Sequence, residues 1–392
     1  MLMSLSYKDI LTDANNLYIS YKRAKKCCNW KRSTIAYRQR WLLYLSKLQN
    51  ALLNKTHKCC KCTYFTLNER GKIRYIAARG MTDKIVRHCL NDFIIIPAID
   101  KYLIYDNGAS RKGKGISFTR KRFEQHIRQF YYKYKTNKGY ILLIDFSKYY
   151  DNIIHEKAKQ QILSKLNKDN EYVDWLLTLI LNEFKVDVSY MNDTQYQNCL
   201  YEKYNSLEYK SKNYPKLGQK YMYKSIDIGD QTSQSIGIFY LTKVDNYIKI
   251  VRSQKYYDRY MDDLAIISRT KEELQNILEN IKILMKPLGL FINERKTHIF
   301  KLCKTFTFLQ NKYHLTNTGK LIKRPCNRKI VDIRRKLKSL YIKVMNKELN
   351  SESLISLYKS WTGNYFKDMS KLQIYRMKLL YESMCTNLVY TN

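Results

Sequence analysis

Three aspartates stand where apolar segments end. Asp145 closes the aliphatic run of "GYILLIDFSKYYDNI", and Asp262 and Asp263 sit side by side in "YYDRYMDDLAIISR", between aromatic and aliphatic residues. Adjacent carboxylates in apolar surroundings repel each other and resist leaving water, so a positive partner is expected on them, and a divalent cation suits best. A carboxylate at one strand end beside two at the tip of an adjacent hairpin supplies the oxygen ligands of two-metal phosphoryl transfer, with ions roughly 3.5–4 Å apart. Any one of these aspartates is equally explained as a helix cap or turn residue. The set of three, in a chain of this charge, is not.

That charge is large. Lys and Arg number 72 against 34 Asp and Glu, a formal net charge of +38 over 392 residues. Solubility needs far less, so the excess implies a polyanionic partner, nucleic acid first and a membrane surface as the rival. The basic residues are interleaved with 36 Tyr and 13 Phe, a surface that can hold phosphates and stack bases. A compositional drift toward Lys, Tyr, Ile and Asn accounts for part of the tyrosine excess but not for the shortage of acids. No apolar run approaches the roughly 18–20 residues of a membrane span. The start "MLMSLSYKDILTDANN" lacks the charged and apolar parts of a signal peptide, and a cytoplasmic protein is expected. Ten cysteines in such a chain imply free thiols or metal. The cluster "HKCCKC" holds His57, Cys59, Cys60 and Cys62, with Cys27 and Cys28 upstream. Cys59 and Cys62 have the C-x-x-C spacing of half a zinc site, yet the segment also alternates like a strand in which cysteine is an ordinary buried residue.

The elements around these residues follow from periodicity. Residues 1–55 read as basic helices, as in "RQRWLLYLSKLQNALL". "CTYFTL" and "KIRYIAA" flank the turn "NERG", a hairpin with basic side chains near its tip, of a kind that covers a phosphate. "MTDKIVRHCLNDFIIIPAIDKYL" predicts a helix capped by Thr82 or Asp83 and ended or bent by Pro97. "GASRKGKGI" joins Gly108, Gly113 and Gly115 with Arg111, Lys112 and Lys114. Lacking P-loop spacing, it is either a plain solvated turn or a place where backbone approaches a template strand. "HEKAKQQILSKL", "DQTSQSIGIFYLTKVDNYIKIV" and "TKEELQNILENIKILMKPLGL" predict helices, and "FINERKTHIFKL" and "FTFLQNKYHLTNTGKLIKR" strands. Past Pro325, Ile330, Ile333, Leu337, Leu340 and Val344 form an apolar helical stripe, with Arg328, Arg334, Arg335, Lys338 and Lys343 off it. Such a basic face is commonly just solvated; after a catalytic core it suits a duplex backbone.

"YMDD" in order with "LLIDFSKYYDNI", "IGDQTSQSIGIFYL", "LGLFINERKT" and "FTFLQNKYHLTNTGK" resembles the bacterial reverse transcriptases of the group II intron, retron and diversity-generating type, over roughly residues 60–375. The resemblance implies an α+β right-hand polymerase: fingers, a palm of antiparallel sheet backed by helices, and a helical thumb. The expected divisions are a basic helical extension at 1–55, fingers at 56–135, palm at 136–322 with an insertion near 185–222, and thumb with C-terminal helices at 323–392. Asp145, Asp262 and Asp263 are then the ligands of two Mg²⁺ ions, for which Mn²⁺ can substitute. By the same resemblance Tyr150, beside Phe146, blocks a ribose 2′-hydroxyl, and Lys72 and Arg74 clamp the triphosphate. Gly229 and Gln231 belong to the nucleotide site, and Lys296 protonates the leaving pyrophosphate. Arg111, Lys112, Lys114, Ser233, Gln234, Tyr260, Met261, Arg328, Arg334, Arg335 and Lys338 contact template and primer. The implied partners are an RNA template, deoxynucleotides and the cDNA product, with an oligomer or accessory protein also compatible.

Departures from the family pattern bear on cellular role. Where many relatives have Gln-Gly-x-x-x-Ser-Pro, this chain has Ile228, Gly229, Asp230, Gln231, Thr232, Ser233 and Gln234, a form resembling the diversity-generating enzymes, which copy adenine inaccurately. Leu309 and Gln310 stand where relatives carry Leu-Gly. Intron-type extensions and retron hallmarks are not recognisable. The expectation is a stand-alone enzyme copying a dedicated, structured noncoding RNA in antiphage defence. The alternatives are a diversity-generating enzyme of low fidelity at adenine and, in another class, an RNA-binding protein with a vestigial polymerase core.

Overall fold

The computed structural model describes residues 5–26, 28–60, 62–69, 71–167, 169–205 and 218–390. Cys27 and residues 206–217 of the expected insertion lie outside the described residues. The chain divides into two compact units, one formed by 1–119, 144–264 and 275–297, the other by 120–143, 265–274 and 298–392.

The first unit opens with four helices, α1 (Tyr7–Thr12), α2 (Ala14–Lys25), α3 (Arg32–Gln39) and α4 (Trp41–Leu53). The expected hairpin follows as β1 (Thr63–Glu69) and β2 (Lys72–Ala78), antiparallel with Leu67 opposite Arg74 and Glu69 opposite Lys72. Its turn is set by Gly71 at φ +78°, whose N–H donates to Asn68 Oδ1 at 3.0 Å. Among its described residues the "HKCCKC" segment is not a strand; β1 begins only at Thr63.

Helix α5 (Met81–Leu90) packs on α2 and begins two to three residues earlier than its sequence suggests. Gly80 is its N-cap, and Asp83 lies in the first turn, where its carboxylate accepts the Cys60 N–H instead of capping the helix. A π-helical turn at Asn91–Ile95 precedes Pro97 in the short α6 (Ile96–Ile99). The looser turn lets the helix continue past a residue that lacks an N–H. The basic loop at 108–116 leads into α7 (Ile116–Tyr134). Gly108 is required there, because a Cβ would come within 2.0 Å of Thr119 Oγ1.

Strands β3 (Tyr140–Ile144), β6 (Tyr257–Tyr260), β7 (Asp263–Ser268) and β8 (His298–Lys301) form a sheet of order β6-β7-β3-β8, with β3 and β8 antiparallel. Between β3 and β6 lie α8 (His155–Leu163), α9 (Glu171–Asn182), β4 (Val186–Asp187), α10 (Asp193–Asn198), β5 (Tyr221–Met222), α11 (Gln231–Tyr240) and α12 (Thr242–Asn246). β4 and β5 pair around a small core of Val186, Val188, Cys199, Tyr204 and Met222. The long helix expected from "DQTSQSIGIFYLTKVDNYIKIV" is broken at Leu241 and ends in a π-helical turn at Tyr247–Val251. After β7 comes α13 (Lys271–Met285), the expected amphipathic helix. "FINERKT" is not a strand: only His298–Lys301 is, and residues 293–297 form a turn.

In the second unit β9 (Phe306–Phe308), β10 (Asn311–Leu315) and β11 (Leu321–Pro325) form a sheet of order β11-β10-β9. Leu309 and Gln310 occupy its first turn at φ +44° and +65°. This left-handed conformation is cheapest for glycine, which is a physical reason for Leu-Gly in relatives. Helices α14 (Asn327–Met345), α15 (Ser351–Tyr365) and α16 (Lys371–Tyr390) complete the unit. Ile333 and Leu337 of the predicted stripe are buried with Leu354, Met377 and Met384, with Ile330 and Leu340 packed against them.

Candidate active site

Asp145 leaves the end of β3 half-buried, and the turn after Phe291 wraps it. Its backbone oxygen accepts the Asn293 N–H at 2.8 Å, and its N–H donates to Thr297 Oγ1 at 3.3 Å. Its Oδ2 accepts from Asn293 Nδ2 at 3.1 Å and from Lys296 Nζ at 3.3 Å. Lys296 is thus an ion-pair partner of Asp145, half exposed.

The hairpin β6–β7 turns at Met261 and Asp262, and Met261 takes φ +58°, a conformation unusual for a non-glycine residue. Arg259, fully buried, holds that turn: its Nε donates to Met261 O at 2.8 Å. The rest of its guanidinium donates to Asp245 Oδ2 at 2.6 Å and Gly237 O at 3.1 Å, while Tyr257 Oη donates to the other Asp245 oxygen at 2.6 Å. A lone charge at this depth would be prohibitive, and the Asp245 pair with its hydrogen bonds offsets that cost.

The three carboxylates share one electrostatic field. Burial, then the neighbouring Asp262 and Asp145, push Asp263 up to about 7, with Lys72 and Lys296 pulling the other way. Burial and Asp145 also raise Asp262, against Arg259 and Arg74. Two carboxylates withdrawn from water in the field of a third favour a cation, and an all-oxygen donor set suits a divalent metal.

Asp145 and Asp262 line a cavity of about 370 Å³ together with Lys72, Arg74, Phe146 and Tyr150. Tyr150 Oη points its proton at Met261 Sδ, 3.2 Å away, and its ring lies against Gly237 of α11, where a Cβ would come within 3.1–3.3 Å of it. Phe146 is buried and bridges to Ile292. The hairpin bearing Lys72 and Arg74 is tied to the segment before α11 by a parallel bridge from Ile76 to Ile228.

Gly229 and Gln231 line a separate cavity of about 270 Å³ with Ser110 and Gln234. Gly229 has φ +101°, and Gln231 donates to Asp92 Oδ1 at 2.7 Å. Ser233 is buried inside the unit, so its side chain does not reach a solvent-facing groove. Gln234 accepts from Ser110 Oγ at 3.2 Å, which brings the basic loop onto α11. Within that loop Arg111 is spent on Asp100 and the Ile104 carbonyl, and Lys114 on the Tyr105 carbonyl and ring, while Lys112 is exposed. The loop also joins the hairpin strand, Gly108 N–H donating to Arg259 O at 3.1 Å. Tyr260 and Met261 are half-buried at the β6–β7 turn. In the second unit Arg328, Arg335 and Lys338 are exposed on α14, and Arg334 is partly buried.

Asn293, Thr297 and Arg259 escaped sequence reasoning. Arg259 carried a signal, a basic residue inside an otherwise apolar and aromatic strand.

The family model for "Reverse transcriptase (RNA-dependent DNA polymerase)" matches residues 66–313. The chain belongs to the reverse transcriptase family of RNA-directed DNA polymerases and has that family's right-hand fold. Among solved structures, apo telomerase from Candida tropicalis is similar at 14% identity and a TM-score of 0.46, over 88% of this chain and 67% of that one. The form truncated from the C-terminal domain gives 14% and 0.41, over 66% of this chain and 54% of that one. This chain therefore spans about half to two thirds of those chains. No curated protein is similar in sequence. No helix among the described residues is long and apolar enough to cross a membrane.

Proposed function

We propose that this chain makes cDNA on an RNA template by two-metal nucleotidyl transfer, with Asp145, Asp262 and Asp263 as the ligands. The observation that carries the reading is the electrostatically linked, raised pair Asp262 and Asp263 with half-buried Asp145, beside a cavity that Lys72 and Arg74 also line. Mg²⁺ ions held there, or Mn²⁺, would neutralise the phosphates and acidify the primer hydroxyl. Lys72 and Arg74 hold the triphosphate through charge-assisted hydrogen bonds. Tyr150, backed by Gly237, fills the space a 2′-hydroxyl needs. Lys296 donates a proton to the leaving pyrophosphate. The basic loop at 108–116 and the exposed cations of α14 bind template and primer phosphates. Primer extension with deoxynucleotides on a defined RNA tests this; no incorporation with either Mg²⁺ or Mn²⁺ would overturn it.

The template we propose is a dedicated, structured noncoding RNA, and the cellular role antiphage defence. The net charge of +38 supports a large RNA partner. The rival, diversity generation, is favoured by the Ile228 to Gln234 segment. Expression of the gene with its flanking DNA, followed by phage challenge and cDNA sequencing, separates them. Protection that Asp262→Ala abolishes supports defence; cDNA substituted at template adenines, without protection, supports the rival.

A further inference from the structure

A second polar cluster lies in the first unit, outside the polymerase reading. His57 is 8% exposed and Asp83 1%, and His57 Nε2 faces Asp83 Oδ1 at 3.7 Å, too far for a hydrogen bond. Neither atom has a hydrogen-bond partner among the described residues. Cys59 joins them, one ligand atom from each of the three residues lying within 4.8 Å of the other two. The other Asp83 oxygen is fixed by the Cys60 N–H at 2.9 Å, which aims the carboxylate at the imidazole.

Two buried orphan atoms facing each other imply a third body between them. A water bonded to both at about 2.8 Å would hold them about 4.5 Å apart. Tetrahedral bonds of about 2.1 Å to one ion hold two ligands about 3.4 Å apart, nearer to what is seen. The nearby guanidiniums are engaged elsewhere, Arg79 with Glu183, Asp227 and Cys62, and Arg87 with Glu183 and Asp230. The C-x-x-C pairing of Cys59 with Cys62 suggested by spacing is thereby replaced: Cys62 Sγ accepts from Arg79 at 2.8 Å, and Asp83 takes its place.

We propose that His57 Nε2, Cys59 Sγ and Asp83 Oδ1 bind a structural Zn²⁺, with water as the fourth ligand. A mixed nitrogen, sulfur and oxygen set suits zinc and not Mg²⁺. The ion ties the chain entering β1 to the first turn of α5. From α5, Arg87 reaches Asp230 at the N-cap of α11, so the base of the Lys72 and Arg74 hairpin is pinned to the helix that backs Tyr150.

The test is elemental analysis of untagged protein made with zinc and dialysed exhaustively. About one zinc per chain is expected, retained in Asp262→Asn/Asp263→Asn and reduced at least about tenfold in Cys59→Ser and in Asp83→Asn. Because either variant could misfold, metal-free wild type is also titrated with Co²⁺. A thiolate-to-cobalt charge-transfer band with tetrahedral d–d absorption, displaced by zinc, supports the site. Zinc content unchanged by both substitutions, or wild type that shows neither zinc nor the thiolate band, overturns it.

Discussion

Burial and two neighbouring carboxylates move Asp263 from 3.8 up to about 7 in the metal-free protein. The folded state holds this proton more tightly than the unfolded chain. Its contribution to stability is therefore complete below about pH 4 and lost as pH rises through about 7. The metal-free wild type should lose thermal stability across that window relative to Asp263→Asn, and scanning calorimetry in a chelator at a series of pH values checks it. Equal pH slopes for the two proteins would contradict the shift. Tyr150 carries the second prediction at this scale. Tyr150→Ala should raise ribonucleotide use relative to deoxynucleotide use at least about tenfold, since a steric clash worth 1.4 kcal/mol is one decade; competitive incorporation reads the ratio. The three aspartates stood out in the sequence as polar breaks beside apolar runs, whereas Tyr150 was singled out only by resemblance to the family. Asn293 was not, since "NERKT" has no periodicity and only the turn after Phe291 brings it to Asp145.

At the scale of elements, the Met261–Asp262 turn is shaped by what lies behind it. Arg259 spans from Asp245 at the end of α12 to the Met261 carbonyl, so strand β6, helix α11 and the turn are fixed together. Replacing a buried ion pair by apolar residues of similar volume is often close to neutral for stability, whereas breaking it costs about 3–5 kcal/mol. Asp245→Leu/Arg259→Met should thus stay folded yet slow extension about 10- to 100-fold, because the left-handed Met261 loses its tether and the aspartates drift from their productive geometry. Circular dichroism with single-turnover kinetics checks this, and unchanged kcat would sink the positioning role. The sequence showed the β1–β2 hairpin and the amphipathic α13 where they are, but missed how tertiary contacts rewrite local signals. Asp83 reads as a cap and is instead drawn to Cys60 and His57, and a strand-like "FINERKT" is bent into the turn around Asp145.

For the whole molecule, the charge of +38 predicts behaviour before any chemistry. RNA should co-purify, and its affinity should fall by about 10³ or more between 50 and 200 mM salt if six or more phosphates are engaged, measured by filter binding across a salt series. A flat salt dependence would contradict phosphate recognition. Fold class was legible because several spaced segments agreed; the arrangement of β4, β5 and their small core was not, since short two-residue strands leave no period to read. The central claim is that Asp145, Asp262 and Asp263 form the metal centre of RNA-templated DNA synthesis. Its most direct measurement is primer extension on a defined RNA, with Mg²⁺ and deoxynucleotides, by wild type and by Asp262→Asn/Asp263→Asn. The account predicts cDNA from wild type and none from a variant that is folded and, without metal, at least as stable, because neutral amides remove the repulsion between the buried carboxylates. Full-length cDNA from the folded double variant would contradict it.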